Sequence, residues 1–236
     1  MGRVEHLSDS VTLYLGDCRE IVPAIELAGF SAVTDPPYGM AYQSGWATDE
    51  LWKAGDTIAG DEDCSVRDEV ITALGERPIL AFGKHTRPVP PGTRMWLIWD
   101  KGPALGMGDL SLPWKPSFEV VYVIGGGFVG KRDGAVIYCP PVQSMAKNGR
   151  QHPNEKPVDL MGRLIAKCPP GGIIDPFMGS GSTGVAAVRA GRPFVGIELK
   201  EAFFDIACRR LSDELRRPQM FYDARPTPPT REASHG

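Results

Sequence analysis

The chain has 236 residues, 42% of them hydrophobic and 23% charged, enough to bury one sizeable core and too few for several large domains. No run approaches the roughly eighteen apolar residues of a membrane span, residues 1–6 lead into no signal-peptide core, and Cys18, Cys64, Cys139, Cys168 and Cys208 are too widely spaced to write a disulfide framework or a CxxC metal site. The expectation is a cytoplasmic protein with reduced thiols and no bound metal, and a net charge of −3 excludes one that coats nucleic acid by bulk charge alone.

In chain order, apolar runs bounded by turn residues predict buried strands at 11–15, 31–34, 78–82, 95–99, 118–124, 172–174 and 194–197. Helical periodicity falls between or after them, at 19–27, 67–74, 158–167, 183–189 and 201–215. Strands alternating with helices predict an α/β fold, a doubly wound mixed sheet with helices on both faces, in a single domain over residues 1–217. Residues 218–236, with Pro226, Pro228 and Pro229 and no periodicity, read as a disordered tail. Charge is uneven: residues 43–76 hold nine acidic and two basic side chains, residues 126–167 seven basic and three acidic. The second stretch offers a local basic surface that the total conceals.

The strand at 31–34 runs into Asp35-Pro36-Pro37-Tyr38. Two prolines fix two φ angles and supply no N–H, so the Asp35 carboxylate and the Asp35 or Pro36 carbonyl can be held together as acceptors. Rigid acceptors suit a donor-rich group such as the exocyclic amine of adenine or cytosine, whose nitrogen is conjugated and poorly nucleophilic. Hydrogen bonds from its two N–H groups would aim the lone pair at an electrophile, and alignment of that kind is worth roughly 7–11 kcal/mol. Tyr38 would offer a flat face to a base taken out of its stack, worth about 1–3 kcal/mol. A plain proline-stiffened strand exit is the other reading.

Toward the C-terminus, Asp175-Pro176-Phe177-Met178-Gly179-Ser180-Gly181-Ser182-Thr183 joins a strand to a helix through a small-residue turn. Glycines there allow a tight turn and the close approach of a ligand, and the helix start offers unpaired N–H groups, which together make a nucleotide pocket. Glu198, at the end of the next strand, is placed to accept from both ribose hydroxyls. Taken as GxGxxG with an acid nineteen residues on, the same pattern fits a nicotinamide fingerprint. Asp175 argues for a different ligand, because a carboxylate at the strand end repels a pyrophosphate and attracts an ammonium or sulfonium. Only about fifty residues follow the loop, too few for a second nucleotide-binding half and a catalytic domain.

Together the two turns resemble the β group of DNA amino-methyltransferases, which carry a methyl group from S-adenosylmethionine to N6 of adenine or N4 of cytosine. Asp35-Pro36-Pro37-Tyr38 is similar to their catalytic D/N/S-P-P-Y/F motif, and Phe177, Gly179 and Gly181 fall on their FxGxG cofactor pattern. The order, catalytic motif first and cofactor motif last, is that of the β group, a circular permutation of the same Rossmann-like sheet. The resemblance implies catalytic roles for Asp35, Pro36, Pro37 and Tyr38. It implies a cofactor pocket from Asp35, from Asp175, Pro176 and Phe177, from Gly179, Ser180, Gly181, Ser182 and Thr183, and from Glu198 and Leu199. His152-Pro153-Asn154-Glu155-Lys156-Pro157 is similar to an H-P-T-x-K-P segment, which implies that Lys156 lies near the cofactor carboxylate; a helix start with Pro157 in its first turn is the other reading. Leu15-Gly16-Asp17-Cys18 resembles a G-D-C element whose aspartate approaches the cofactor adenine, although Asp17 fits a helix cap equally well. Trp99-Asp100-Lys101 followed by Glu119 resembles a W-x-K…E pair of strands around the base pocket.

The resemblance makes double-stranded DNA the partner and S-adenosylhomocysteine the product. It is compatible with a homodimer, and with either a companion restriction endonuclease or none. The insertion at about 125–150, holding Lys131, Arg132, Lys147 and Arg150, is the candidate DNA contact region, through phosphates that position a duplex without reading its sequence. Aspartate at position 35 favours adenine N6 over cytosine N4, and the lack of a Pro-Cys dipeptide disfavours C5-cytosine methylation. RNA, a protein glutamine amide, a nicotinamide oxidoreductase and a non-catalytic DNA-binding module are the remaining alternatives.

Overall fold

A hairpin of β1 (Val4–Ser8) and β2 (Val11–Leu15) opens the chain and leads into α1 (Cys18–Ile21). The helical pattern expected to reach residue 27 stops there because Pro23 has no N–H to continue the ladder, and a 3-10 turn, Val22–Ala24, takes over. Then come β3 (Ser31–Thr34), α2 (Ser65–Leu74), β4 (Ile79–Gly83), β5 (Thr93–Asp100), β6 (Phe118–Ile124) and β7 (Val136–Tyr138). The last third holds α3 (Val158–Ile165), β8 (Ile173–Asp175), α4 (Ser182–Arg189), β9 (Phe194–Glu198) and α5 (Glu201–Arg216). This is a computed structural model, and it describes residues 2–37, 63–103, 111–142 and 155–217. The tail expected at 218–236 lies outside the described residues.

The nine strands of the described residues join one sheet in the order β1-β2-β9-β8-β3-β4-β6-β5-β7. Strands β2, β9, β8, β3 and β4 are parallel, and β6 is inserted antiparallel between β4 and β5. Successive residues of the central strands feed opposite cores, as the two-residue period of a strand requires. Val33, Leu80, Phe82, Val121 and Ile173 pack with α3, α4 and α5 on one face; Ala32, Ile79, Ala81, Val120 and Ile174 pack with α1 and α2 on the other. Strands covered on both faces need no polar alternation, which is why they are continuous apolar runs in the sequence.

From β8 the chain passes through α4 to β9, on one side of the sheet order; from β3 it passes through α2 to β4, on the other. The two strands are neighbours, so the direction of winding reverses between them and a crevice forms at their carboxyl ends, where open α/β sheets bind ligands. Among the described residues, no helix is long and apolar enough to cross a membrane.

Candidate active site

The carboxyl ends of four adjacent parallel strands each deliver an acidic residue to one edge of the sheet: Asp17 after β2, Glu198 ending β9, Asp175 ending β8 and Asp35 after β3. The sheet order thus gathers residues from both ends of the sequence. The Gly16 N–H donates to the Glu198 carbonyl at 2.9 Å, tying the exits of β2 and β9 together.

Asp175 is 3% exposed and its carboxylate is taken up by the protein itself. Thr34 Oγ1 donates to Oδ1 at 2.6 Å, the Phe177 N–H to the same oxygen at 3.1 Å, and Thr183 Oγ1 to Oδ2 at 2.5 Å. One side chain therefore fastens β3, the glycine turn and the first turn of α4. Burial pushes its proton affinity up to about 6; the three hydrogen bonds oppose that rise, and the negative charge of Asp35 adds to it.

The turn itself depends on two glycines with positive φ, Gly179 at +52° and Gly181 at +85°. A Cβ at Gly179 would meet nothing within 4 Å, whereas one at Gly181 would lie 2.7 Å from Leu211 Cδ1 on α5. Gly181 is thus glycine for packing as well as for conformation, and Gly179 leaves open space above the turn. Glu198 Oε2 accepts from the Gly179 N–H at 3.0 Å and Oε1 from the Lys200 N–H at 2.8 Å, and burial raises its proton affinity against those bonds. Arg210 of α5 braces the turn from behind, donating to the Ser180 carbonyl at 2.7 Å and to Ser180 Oγ at 2.9 Å while pairing with Glu155 at 2.6 Å. Pro176, Ser180, Ser182 and Thr183 are buried and Phe177 half-buried; Ser182 Oγ has no hydrogen-bond partner among the described residues, and Leu199 is exposed.

On the other side of the crevice, Pro36 is buried and Asp35 and Pro37 are half-buried. Lys156 Nζ lies 2.6 Å from Asp35 Oδ2 and 3.2 Å from Glu119 Oε2, and Glu119 Oε1 in turn pairs with Lys101 Nζ. Both ammonium groups sit over aromatic faces, Lys156 at 4.9 Å from the Phe82 ring centre and Lys101 at 4.8 Å from that of Trp99. Burial works against the charge on Lys156, but Asp35 and Glu119 outweigh it and hold the ammonium more firmly protonated than usual. Burial likewise works against the Glu119 carboxylate, and Lys156 and Lys101 outweigh it.

The remaining sequence candidates fall in different places. Asp17 caps α1 by accepting from the Arg19 N–H at 2.9 Å and pairs with the Arg19 guanidinium at 2.6 Å. Cys18 is buried, its thiol pushed up to about 12 chiefly by burial, so it stays a protonated packing residue. Lys131 and Arg132 are exposed. Their segment is anchored to the fold: the Val129 N–H donates to the Lys167 carbonyl at 2.9 Å, and β7 extends the sheet beside β5. Tyr38, Lys147 and Arg150 lie outside the described residues. The clamp role of Thr34 and the brace of Arg210 were not read from the sequence. A hydroxyl ending an apolar strand carries no local signal of its partner, and Arg210 looks like any solvated residue of a helix.

A family model described as DNA methylase matches residues 91–209. The Type II methyltransferase M.ScaI of Streptomyces caespitosus is 41% identical over 265 aligned positions, spanning 91% of this chain and 85% of that protein. Among solved structures, the M1.HpyAVI–SAM complex is similar at a TM-score of 0.56 and 20% identity, covering 85% of this chain and all of that one. The PvuII DNA methyltransferase, a cytosine-N4-specific enzyme, is similar at 0.63 and 14%, covering 88% and 92%. The structural likenesses establish a shared fold, and the sequence match carries the family: with its acidic strand ends gathered at one crevice, the chain belongs to the N6/N4 DNA methylases.

Proposed function

We propose that the chain transfers the methyl group of S-adenosylmethionine to the exocyclic N6 of an adenine taken out of double-stranded DNA. The observation that carries this reading is the meeting of the Asp35-Pro36-Pro37 turn with the glycine turn of β8 on adjacent strands at the point where the winding reverses. Open space over Gly179, the start of α4 and the Glu198 carboxylate, which already accepts backbone N–H groups at the turn, fit a nucleoside cofactor. When bound, S-adenosylmethionine supplies an electrophilic methyl on a cationic sulfur. The acidic strand ends favour such a cation, although Asp175 contributes through the backbone it fastens and not through an uncommitted carboxylate.

Asp35 and the Pro36 carbonyl accept from the amine, drawing its nitrogen out of conjugation and aiming the lone pair. Nitrogen then forms the new N–C bond as the C–S electron pair returns to sulfur, and the positive charge passing to nitrogen is met by the Asp35 carboxylate. The methylated amine sheds one proton to solvent, restoring a neutral base. Tyr38 stacks on the extruded base, and Lys131 and Arg132 contact phosphates of the flanking duplex.

Incubation with unmethylated bacterial genomic DNA, digestion to nucleosides and mass spectrometry test the assignment: N6-methyladenine is the expected product. N4-methylcytosine would replace the adenine assignment with its cytosine counterpart, and absence of any methylated nucleoside would remove both. Replacing Lys131 and Arg132 together by alanine should weaken DNA binding and make it less salt-dependent, by roughly 0.9 in log–log slope for each phosphate no longer neutralised; identical salt curves would refute the phosphate role.

A further inference from the structure

Lys156, Glu119 and Lys101 form a row of alternating charge with Asp35 along the carboxyl edge of the sheet, crossing one strand at each step. Asp35 follows β3, Lys156 reaches over Phe82 of β4, Glu119 is on β6, and Lys101 follows β5 beside Trp99. Lys156 is 7% exposed, so water does little to screen its ammonium, which hydrogen-bonds Asp35 and lies within ion-pair distance of Glu119 and over an aromatic face. A buried lysine retained at such a site is not explained by stability alone, since apolar replacements of buried ion pairs are commonly neutral or better. Its position against the residue proposed to hold the target amine suggests what the charge is for.

We propose that Lys156, itself held by Glu119, is a positioning residue for Asp35: it fixes the carboxylate through Oδ2 and keeps it ionised, so that Asp35 acts as an acceptor toward the amine and as a counter-charge when nitrogen becomes positive. This rests on the reading of Asp35 given above. A protonated Asp35 would present a donor to an amine that has only donors to offer. Among the described residues, charged groups near Asp35 pull in both directions, with Lys156 favouring ionisation and Asp175, on the neighbouring β8, disfavouring it. Glu119 acts at one remove by holding Lys156, and Lys101 balances Glu119. The four charges sum to zero, so a charge removed from this row is not compensated within it.

The direct test is carboxyl carbon NMR of the full, cofactor-free chain, with the Asp35 resonance identified by its loss in Asp35→Asn. In Lys156→Met the Asp35 midpoint should rise by about one pH unit or more, the usual influence of an opposite charge within 4–6 Å. In Glu119→Gln it should move the other way by about a few tenths, because a negative neighbour one step further along is removed. Single-turnover methyl transfer to unmethylated bacterial genomic DNA should fall by about 10- to 100-fold in Lys156→Met, by analogy with the loss of a catalytic hydrogen-bond partner. Its acid limb should move up in pH, cofactor affinity should stay within about threefold, and Lys156→Arg should recover most of the rate. An Asp35 midpoint unmoved in Lys156→Met, or a loss expressed wholly as weaker cofactor binding, would overturn the proposal; the second result would place Lys156 at the cofactor carboxylate. Should Lys156→Met fail to fold, Lys156→Gln is titrated in its place: the Asp35 midpoint should again rise by about one pH unit or more, and an unmoved midpoint would overturn the proposal. A wild-type chain that methylates no base would overturn the reading of Asp35 as catalytic, while the NMR midpoints would still decide whether Lys156 governs its charge.

Discussion

Asp175 and Asp35 end neighbouring parallel strands, yet their surroundings differ in kind. Around Asp175 the fold supplies three neutral donors, two threonine hydroxyls and a backbone N–H, and closes over the carboxylate until 3% of the residue is exposed. Around Asp35 it supplies a cation, with 24% of the side chain exposed. Neutral donors in a dry site fix geometry and offset only part of the cost of burying a charge, so proton affinity rises to about 6. A cation beside a carboxylate at an open turn lowers the cost of ionisation and leaves the group at the crevice. The same residue type is thus used once to fasten strands and once, on our reading, to face a substrate.

The comparison can be broken most directly by removing each carboxylate in turn. Asp35→Ala should reduce methyl transfer by on the order of 10²–10³-fold, the cost typical of a lost electrostatic partner of the transition state, with cofactor binding nearly unchanged. Asp175→Ala should instead strand the Thr34 and Thr183 hydroxyls in the interior and cost about 3 kcal/mol of stability, read from chemical denaturation. If Asp35→Ala kept full activity, or Asp175→Ala kept full stability, the division of labour would be wrong.

A milder probe uses pH. The folded-state affinity of Asp175 lies above its ordinary 3.8, at about 6, so its protonated form stabilises the fold below about pH 4 and that contribution is lost as pH rises through about 6. Asp175→Asn cannot titrate. The stability of wild type relative to this variant should therefore fall between pH 4 and 6 by an amount on the order of 3 kcal/mol, at about 1.4 kcal/mol per tenfold change in proton affinity. A difference that stays flat or rises across that range would contradict the burial argument.

The smallest effects separate the two glycines of the cofactor turn. Gly181→Ala forces a methyl against Leu211 Cδ1 at 2.7 Å and Ala207 Cβ at 3.2 Å with φ at +85°, and should cost about 2–3 kcal/mol of stability. Gly179→Ala meets nothing within 4 Å and should cost only about 1 kcal/mol, the ordinary strain of a left-handed residue. Because its methyl enters the space above the turn, it should weaken cofactor binding more than its stability loss suggests. Thermal melts and cofactor titrations on the pair distinguish the two roles; equal stability losses would show that α5 does not press on the turn as described.

Much of the fold was legible because its signals are local. The fully buried strands β3 and β4 stand out as continuous apolar runs, and the glycine turn announces a strand-to-helix junction from residue type alone. Two strands went unread for physical reasons. The edge strand β1 has no fully buried residue, and β7 is three residues long with two of them exposed; neither needs the apolar run that marks a covered strand. The short α1 was overextended because the apolar spacing continues past Pro23 while the backbone cannot.

By itself the sequence determined the class of fold, the two turns and the chemistry they suit, since each depends on neighbours along the chain: prolines that fix φ, glycines that permit a positive one, apolar runs that demand burial. Only the tertiary structure decided how those pieces answer one another. That Asp175 is committed to Thr34, 141 residues away, and that Lys156 stands against Asp35, 121 residues away, follow from the strand order. Hydrogen bonds and ion pairs act over a few ångströms of space regardless of separation in sequence, and the sheet sets which side chains come that close.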